Sequence, residues 1–132
     1  MKNWKELPVA SIVGDAGSLR VIDRLGESSV SPRRVFWISK VPAGQTRGFH
    51  AHKTGHQILI CLAGSVSAKF FNGTVSEEIL LVPGGTAVWM ENMVWGEQTF
   101  LEKDSILLVL ASNDYDEEDY IRDRNEFVAL AK

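Results

Sequence analysis

Turn signals recur along most of this 132-residue chain, and they limit what can lie between them. Pro42–Gly44, Ala63-Gly64, Asn72-Gly73, Pro83-Gly84-Gly85, Glu91-Asn92 and Glu102–Asp104 separate short segments rich in β-branched and aromatic residues. Short strands punctuated about every eight to twelve residues mark an antiparallel β-sandwich or barrel. Arg33–Val41 reads as a strand with Val35, Trp37 and Ser39 on one face and Phe36 and Ile38 on the other. Further strands are expected at Gln57–Leu62, Ser65–Phe71, Thr74–Val82, Thr86–Met90 and Val94–Phe100. Ser105–Ser112 is almost wholly apolar and is expected to lie centrally, buried on both faces. Ser18–Leu25 alternates only in part, as an edge strand would, and residues 27–32 are expected to form a loop. Asn72-Gly73 predicts a two-residue type I′ hairpin turn, since both residues tolerate positive φ.

After Ser112 the composition changes. Asp114 or Asp116 is placed to cap a helix whose first turn is acidic, so one or two short helices are expected here. Tyr120, Ile121, Phe127, Val128 and Leu130 are expected to cover the barrel or its mouth. The whole chain, 1–132, reads as one domain, without repeat, low-complexity segment or linker.

A net charge of −3 gives no reason to expect nucleic acid or an anionic membrane as partner, although a local cationic pocket for an anionic ligand is compatible with it. Cys61, the single cysteine, sits in the apolar run QILICL and is expected to be a buried, inert thiol in a reducing compartment. The N-terminus lacks the continuous apolar run of a signal peptide, and no segment approaches the ~20 apolar residues of a membrane span. A cytoplasmic location is expected.

Candidate chemistry is concentrated in Gly44–Gly64, where Arg47, His50, His52, Lys53, His56 and Gln57 crowd a strand and turn. Residues two apart on a strand point the same way, so His50 and His52 project into one cavity, and Gln57 returns on the next strand to face them. An imidazole titrates near neutrality and can move a proton at a carbon next to a carbonyl. Arg47 and Lys53 flank the pair and are candidates to hold a phosphate or an enolate oxygen. The plain alternative is two histidines satisfied in a polar barrel mouth. Trp37, Trp89 and Trp95 read first as barrel core.

The spacing of Gly44, His50, His52, Gln57 and Gly64 resembles the first motif of the cupins, which implies an all-β, RmlC-like jelly-roll or double-stranded β-helix. Gln57 stands at that motif's Glu, and the second motif's His is missing from Pro83–Gln98. Two histidines and a neutral amide make a poor metal site, so neither metal nor other cofactor is expected.

The wider segments RRVFWI, RGFHAHK, HQILICLAGSV and SILLVLASNDYDEEDYIRDRNEF resemble the sugar-nucleotide 3,4-ketoisomerases, the WxcM-like or FdtA/QdtA-type cupins, from about Gly17 to Phe127. The resemblance implies metal-independent movement of a keto group from C4 to C3 of dTDP-4-keto-6-deoxyglucose through an enediol, in deoxysugar biosynthesis for surface polysaccharide or glycoconjugate. It implies His50 as base and His52 as a proton relay or sugar contact. Arg34, Arg47, Lys53, Gln57, Trp95 and Glu97 match pocket positions, and a homodimer with exchanged N-terminal strands is implied. The chain departs from the family at Ala16 and Gly96, two positions that help set which face of C4 is reprotonated. Related readings are a keto-sugar epimerase or isomerase of different outcome, and a nucleotide-sugar-binding cupin without turnover.

Overall fold

The structure is a computed structural model and describes residues 1–23, 25 and 31–132. The strands run β1 Trp4–Pro8, β2 Ala10–Gly14, β3 Gly17–Val21, β4 Arg34–Ile38, β5 Thr46–His52 and β6 Gln57–Ala63. They continue as β7 Val66–Phe71, β8 Ser76–Leu81, β9 Thr86–Met90, β10 Trp95–Phe100, β11 Ile106–Ala111 and β12 Tyr120–Ile121. A one-turn 3-10 helix, Glu117–Asp119, precedes β12, and a helix α1, Arg124–Leu130, follows it.

Two antiparallel five-stranded sheets face each other, in the orders β1-β9-β6-β11-β4 and β12-β5-β10-β7-β8. Alternation puts Leu59, Val88, Met90, Leu107 and Val109 of the first sheet against Val66, Ala68, Phe70, Leu81 and Phe100 of the second. Phe70 and Phe100 are almost fully buried, and each burial contributes about 2–3 kcal/mol. The lower half of the sandwich is packed with these side chains. Toward the end that carries His50 and His52 the filling gives way to a cavity.

Several expectations are corrected. Residues 4–14 form two strands that weak alternation conceals, and β1 extends the first sheet by pairing with β9 from Trp4↔Met90 to Pro8↔Thr86. The segment read as an edge strand forms β3, but it pairs only with β2, in a hairpin outside both sheets. Much of the expected loop at 27–32 lies outside the described residues. The hairpin at Asn72-Gly73 exists, but its connection is longer than two residues, since the register closes at Phe71↔Ser76. Only Gly73 takes positive φ, while the Asn72 side chain accepts from the Thr74 and Val75 N–H groups, so an Asx turn replaces type I′.

β11 is buried on one face only. Leu107, Val109 and Ala111 point inward, whereas the other side of that sheet leaves Trp37 and Val35 more than half exposed. The C-terminal segment also differs. Asp116 caps the 3-10 turn, but Tyr120 and Ile121 leave helical geometry to pair with β5, and α1 starts only after a second cap at Asp123. Ile121 and Phe127 are buried with Ala51 and Trp95, while Leu130 stays exposed.

Candidate active site

Strand β5 carries an irregularity that determines which of its side chains face inward. Opposite β10, Gln98 pairs with Arg47 and Glu97 with Gly48, but Gly96 pairs with His50, which leaves Phe49 as an extra residue. Gly48 and Phe49 both take positive φ, 101° and 57°. A bulge of this kind shifts the alternation by one position. Arg47 therefore lines the same cavity as His50 and His52, although it stands three positions before His50, and Phe49 is turned outward. Glycine is required at 48, because a Cβ there would lie 2.8 Å from the Gly96 carbonyl oxygen and from Gln98 Oε1.

The two histidines are held differently. His52 is buried, its Nδ1 is 3.2 Å from Asp119 Oδ2, and Gln57 Nε2 lies 3.2 Å from its Nε2. Asp119 also accepts from the Thr54 N–H (2.8 Å) and hydroxyl (2.9 Å). Burial works to raise the Asp119 pKa, but these donors and His52 outweigh it and leave it lowered. Asp119 is thus an ionised acceptor. It fixes the proton of His52 on Nδ1, and Nε2 accepts from the Gln57 amide. Desolvation, together with the neighbouring His50, drops the His52 pKa to about 4, so the ring is neutral near pH 7.

His50 keeps one nitrogen available. Its Nδ1 is 3.1 Å from the Gly48 carbonyl oxygen, an acceptor only, so Nδ1 carries the proton. Nε2 then holds a lone pair and has no hydrogen-bond partner among the described residues. Burial lowers its pKa, which keeps that lone pair unprotonated at neutral pH. The rings of His50 and His52 meet edge to face at 5.1 Å.

The cavity has a volume of about 290 Å³ and two unlike walls. One, from β5, β10 and β12, carries Arg47, His50, His52, Gly96, Gln98 and Tyr120, with Arg122 just beyond. The Tyr120 ring lies 5.0 Å from the His50 ring and 4.4 Å from the His52 ring, and the Arg122 guanidinium covers it at 4.4 Å. Arg122 is fixed in turn by Glu117, through contacts of 2.7 and 2.9 Å. The opposite wall, from β4, β6, β9 and β11, is Phe36, Ile38, Leu59, Met90, Leu107 and Val109, with Gln57 its one polar side chain.

Of the sequence candidates, the fold brings Arg47, His50, His52 and Gln57 together on this cavity. Arg34 shares the inward face of β4 with Phe36 and Ile38 but is not part of the cavity lining. Its guanidinium lies 5.1 Å from the Phe36 ring, its Nε is buried and unpartnered, and its charge helps to lower the His52 pKa. Lys53 is exposed past the end of β5 and does not line the cavity. Trp95 and Glu97 point to the other side of β10, because only the even positions of that strand face inward. There the Trp95 Nε1–H donates to Glu97 at 3.0 Å, and both line a separate surface cleft of about 540 Å³ beside Arg124. Ala16 sits at the exposed hairpin tip between β2 and β3 and does not line the cavity. Asp119, Arg122 and Gln98 are not among the sequence candidates, and Tyr120 is expected from the sequence only to cover the barrel or its mouth. Asp119, Tyr120 and Arg122 lie in the segment read as helical, and a two-residue strand is too short to show alternation.

The two-sheet antiparallel barrel is that of the RmlC-like cupins. The RmlC epimerase of Mycobacterium tuberculosis superposes with a TM-score of 0.80 at 17% identity, over 89% of this chain and 67% of that one, which shows the fold alone. The chain belongs to the family described as FdtA: WxcM-like, C-terminal, which it matches over residues 2–132. It is 35% identical over 123 residues to the TDP-4-oxo-6-deoxy-α-D-glucose-3,4-oxoisomerase of Aneurinibacillus thermoaerophilus, covering 93% of this chain and 88% of that protein. A histidine-to-asparagine mutant of the 3,4-ketoisomerase QdtA from Thermoanaerobacterium thermosaccharolyticum, in complex with TDP-4-keto-6-deoxyglucose, superposes with a TM-score of 0.90. Its identity is 33%, over 99% of this chain and 95% of that chain.

Proposed function

We propose that this chain is an isomerase that converts TDP-4-keto-6-deoxyglucose to its 3-keto isomer, in deoxysugar biosynthesis, with His50 as the base. The observation that carries this reading is the His50 ring, with Nδ1–H given to the Gly48 carbonyl and Nε2 left unprotonated at the cavity. The hydrogen on C3 is acidified by the adjacent C4 carbonyl. His50 Nε2 takes that proton, C3 and C4 become doubly bonded, and the former carbonyl oxygen becomes the enediolate oxygen. Loss of the O3 proton then forms the C3 carbonyl, a proton is returned to C4, and the C4 oxygen takes up a proton to become the hydroxyl. Arg47 and Arg122 supply positive charge on the same wall for the enediolate or the diphosphate. His52 acts through its neighbours: with both ring nitrogens engaged, it holds Gln57 and packs against His50.

The β2–β3 hairpin exposes Ile12, Val13 and Leu19 (66%, 73% and 58%), which supports a homodimer with exchanged N-terminal strands. No helix among the described residues is long and apolar enough to cross a membrane, and cytoplasmic sugar-nucleotide metabolism is the setting this reading gives.

The test is incubation with TDP-4-keto-6-deoxyglucose in D2O. Deuterium should exchange at C3 in the wild type and not in His50→Asn, with circular dichroism unchanged. Tight TDP binding with neither exchange nor 3-keto product in the wild type would replace the enzyme reading with a binding one.

A further inference from the structure

The two walls of the cavity are chemically unequal, and this has a stereochemical consequence for the reaction proposed above, on which the inference rests. The side chains able to take up or give back a proton stand on the β5–β10–β12 wall: His50 with its open Nε2, Tyr120 beside it, and His52, already committed to Asp119 and Gln57. Gly96, directly across from His50 in the register, adds no side chain. The facing wall is hydrocarbon and thioether apart from Gln57, whose amide does not exchange a proton with carbon at neutral pH and is tied to His52.

A base removes the hydrogen next to a carbonyl along the axis perpendicular to the ring, where the breaking bond overlaps the π system. The sugar ring must therefore lie with the C3 hydrogen's face toward His50 and its other face against the apolar wall. In the gluco-configured chair the hydrogens on C3 and C5 share one face and that on C4 lies on the other. Re-forming the gluco arrangement requires a proton delivered from the apolar side. That wall has no group to deliver one.

We infer that this chain returns the proton to C4 on the face from which it left C3, so that its product is the galacto-configured 3-keto sugar. The proton taken from C3 by His50 Nε2 goes back to C4, from His50 itself or from Tyr120 on the same wall. The O3 proton is released as the C3 carbonyl forms, and O4 takes up a proton as the enediolate collapses. His50 returns to its starting state, in the Tyr120 route by passing its proton to the phenolate left on Tyr120, and no oxidant or reductant is consumed.

The experiment is in situ proton NMR of the wild-type protein with TDP-4-keto-6-deoxyglucose, read at early conversion, alongside Tyr120→Phe. A product whose H4 and H5 are on one face shows a small coupling between them, whereas the gluco product shows the large coupling of two axial hydrogens. The expected result is galacto product in excess over gluco by about tenfold or more. The same configuration is expected from Tyr120→Phe at whatever rate it retains, since both donors share the wall. A predominance of gluco product, or a change of configuration in Tyr120→Phe, would overturn the inference while leaving the ketoisomerase reading intact. Absence of any 3-keto product from the wild type would overturn that reading instead, and the two failures are separated by whether product forms.

Discussion

Two histidines two residues apart have been given opposite jobs by what surrounds them. His52 is saturated by Asp119 and Gln57, and its pKa falls from 6.5 to about 4, so at neutral pH the fold holds it without charge. A group whose folded pKa is depressed stabilises fully above its unfolded value, and that contribution is lost as pH falls through the folded value. The window runs from pH 6.5 down to about 4, and its size is about 3 kcal/mol. Thermal melts should show this acid limb, and His52→Gln should flatten it. His50 is lowered in the same direction by burial, so its lone pair survives below the ordinary imidazole range. The acid limb of kcat/KM should accordingly lie below pH 6.5, and a limb at or above that value would contradict a buried neutral base. At Gly48, replacement by Ala would drive a Cβ to 2.8 Å from the Gly96 carbonyl oxygen in a left-handed conformation. We expect Gly48→Ala to cost about 3 kcal/mol in chemical denaturation and to displace His50, so that activity falls along with stability.

At the scale of elements, the site depends on a C-terminal segment that is anchored from outside the sandwich. β12 pairs with β5 through only two residues, Tyr120↔His52 and Ile121↔Ala51. Two residues of ladder are too few to hold an edge by themselves. Helix α1 supplies the rest: Phe127 is fully buried against Trp95 (5.7 Å) and Phe71 (6.0 Å), on the outer face of the second sheet. Phe127→Ala should cost about 3–4 kcal/mol by urea titration. It should also reduce kcat more than a distant core truncation of equal cost, because Tyr120 and Asp119 would lose their seat. Most strands were legible in the sequence, since turn residues bound them and alternation fills them. β1 and β2 were not, because their partners lie far away in sequence or in a hairpin open to solvent. The inward turn of Arg47 was hidden as well, because strict alternation assigns positions 47 and 50 to opposite faces and only the bulge reconciles them. Trp95 and Glu97 misled for the converse reason, as matching a family pattern says nothing about which side of β10 a residue takes.

At the scale of the molecule, the sandwich leaves large apolar side chains uncovered among the described residues. The hairpin β2–β3 presents Ile12, Val13 and Leu19, and the outer face of the first sheet presents Trp37 and Val35, 65% and 52% exposed. The proposed homodimer would cover surfaces of this kind. Light scattering should give a dimer for the wild type, and the paired change Ile12→Asp with Leu19→Asp should give monomer with the barrel's far-ultraviolet spectrum intact. A monomeric wild type would remove strand exchange from the reading.

The extra residue in β5 also bears on how this chain can change over time. The side chain of Phe49 points away from the cavity, so many residues that accept its backbone angles would serve there, yet its presence keeps Arg47 and His50 on one side. Descendants of this protein can drift in identity at position 49, but they cannot lose the position. A one-residue deletion between Gly48 and His50 would turn Arg47 out of the cavity while leaving every functional residue in the sequence.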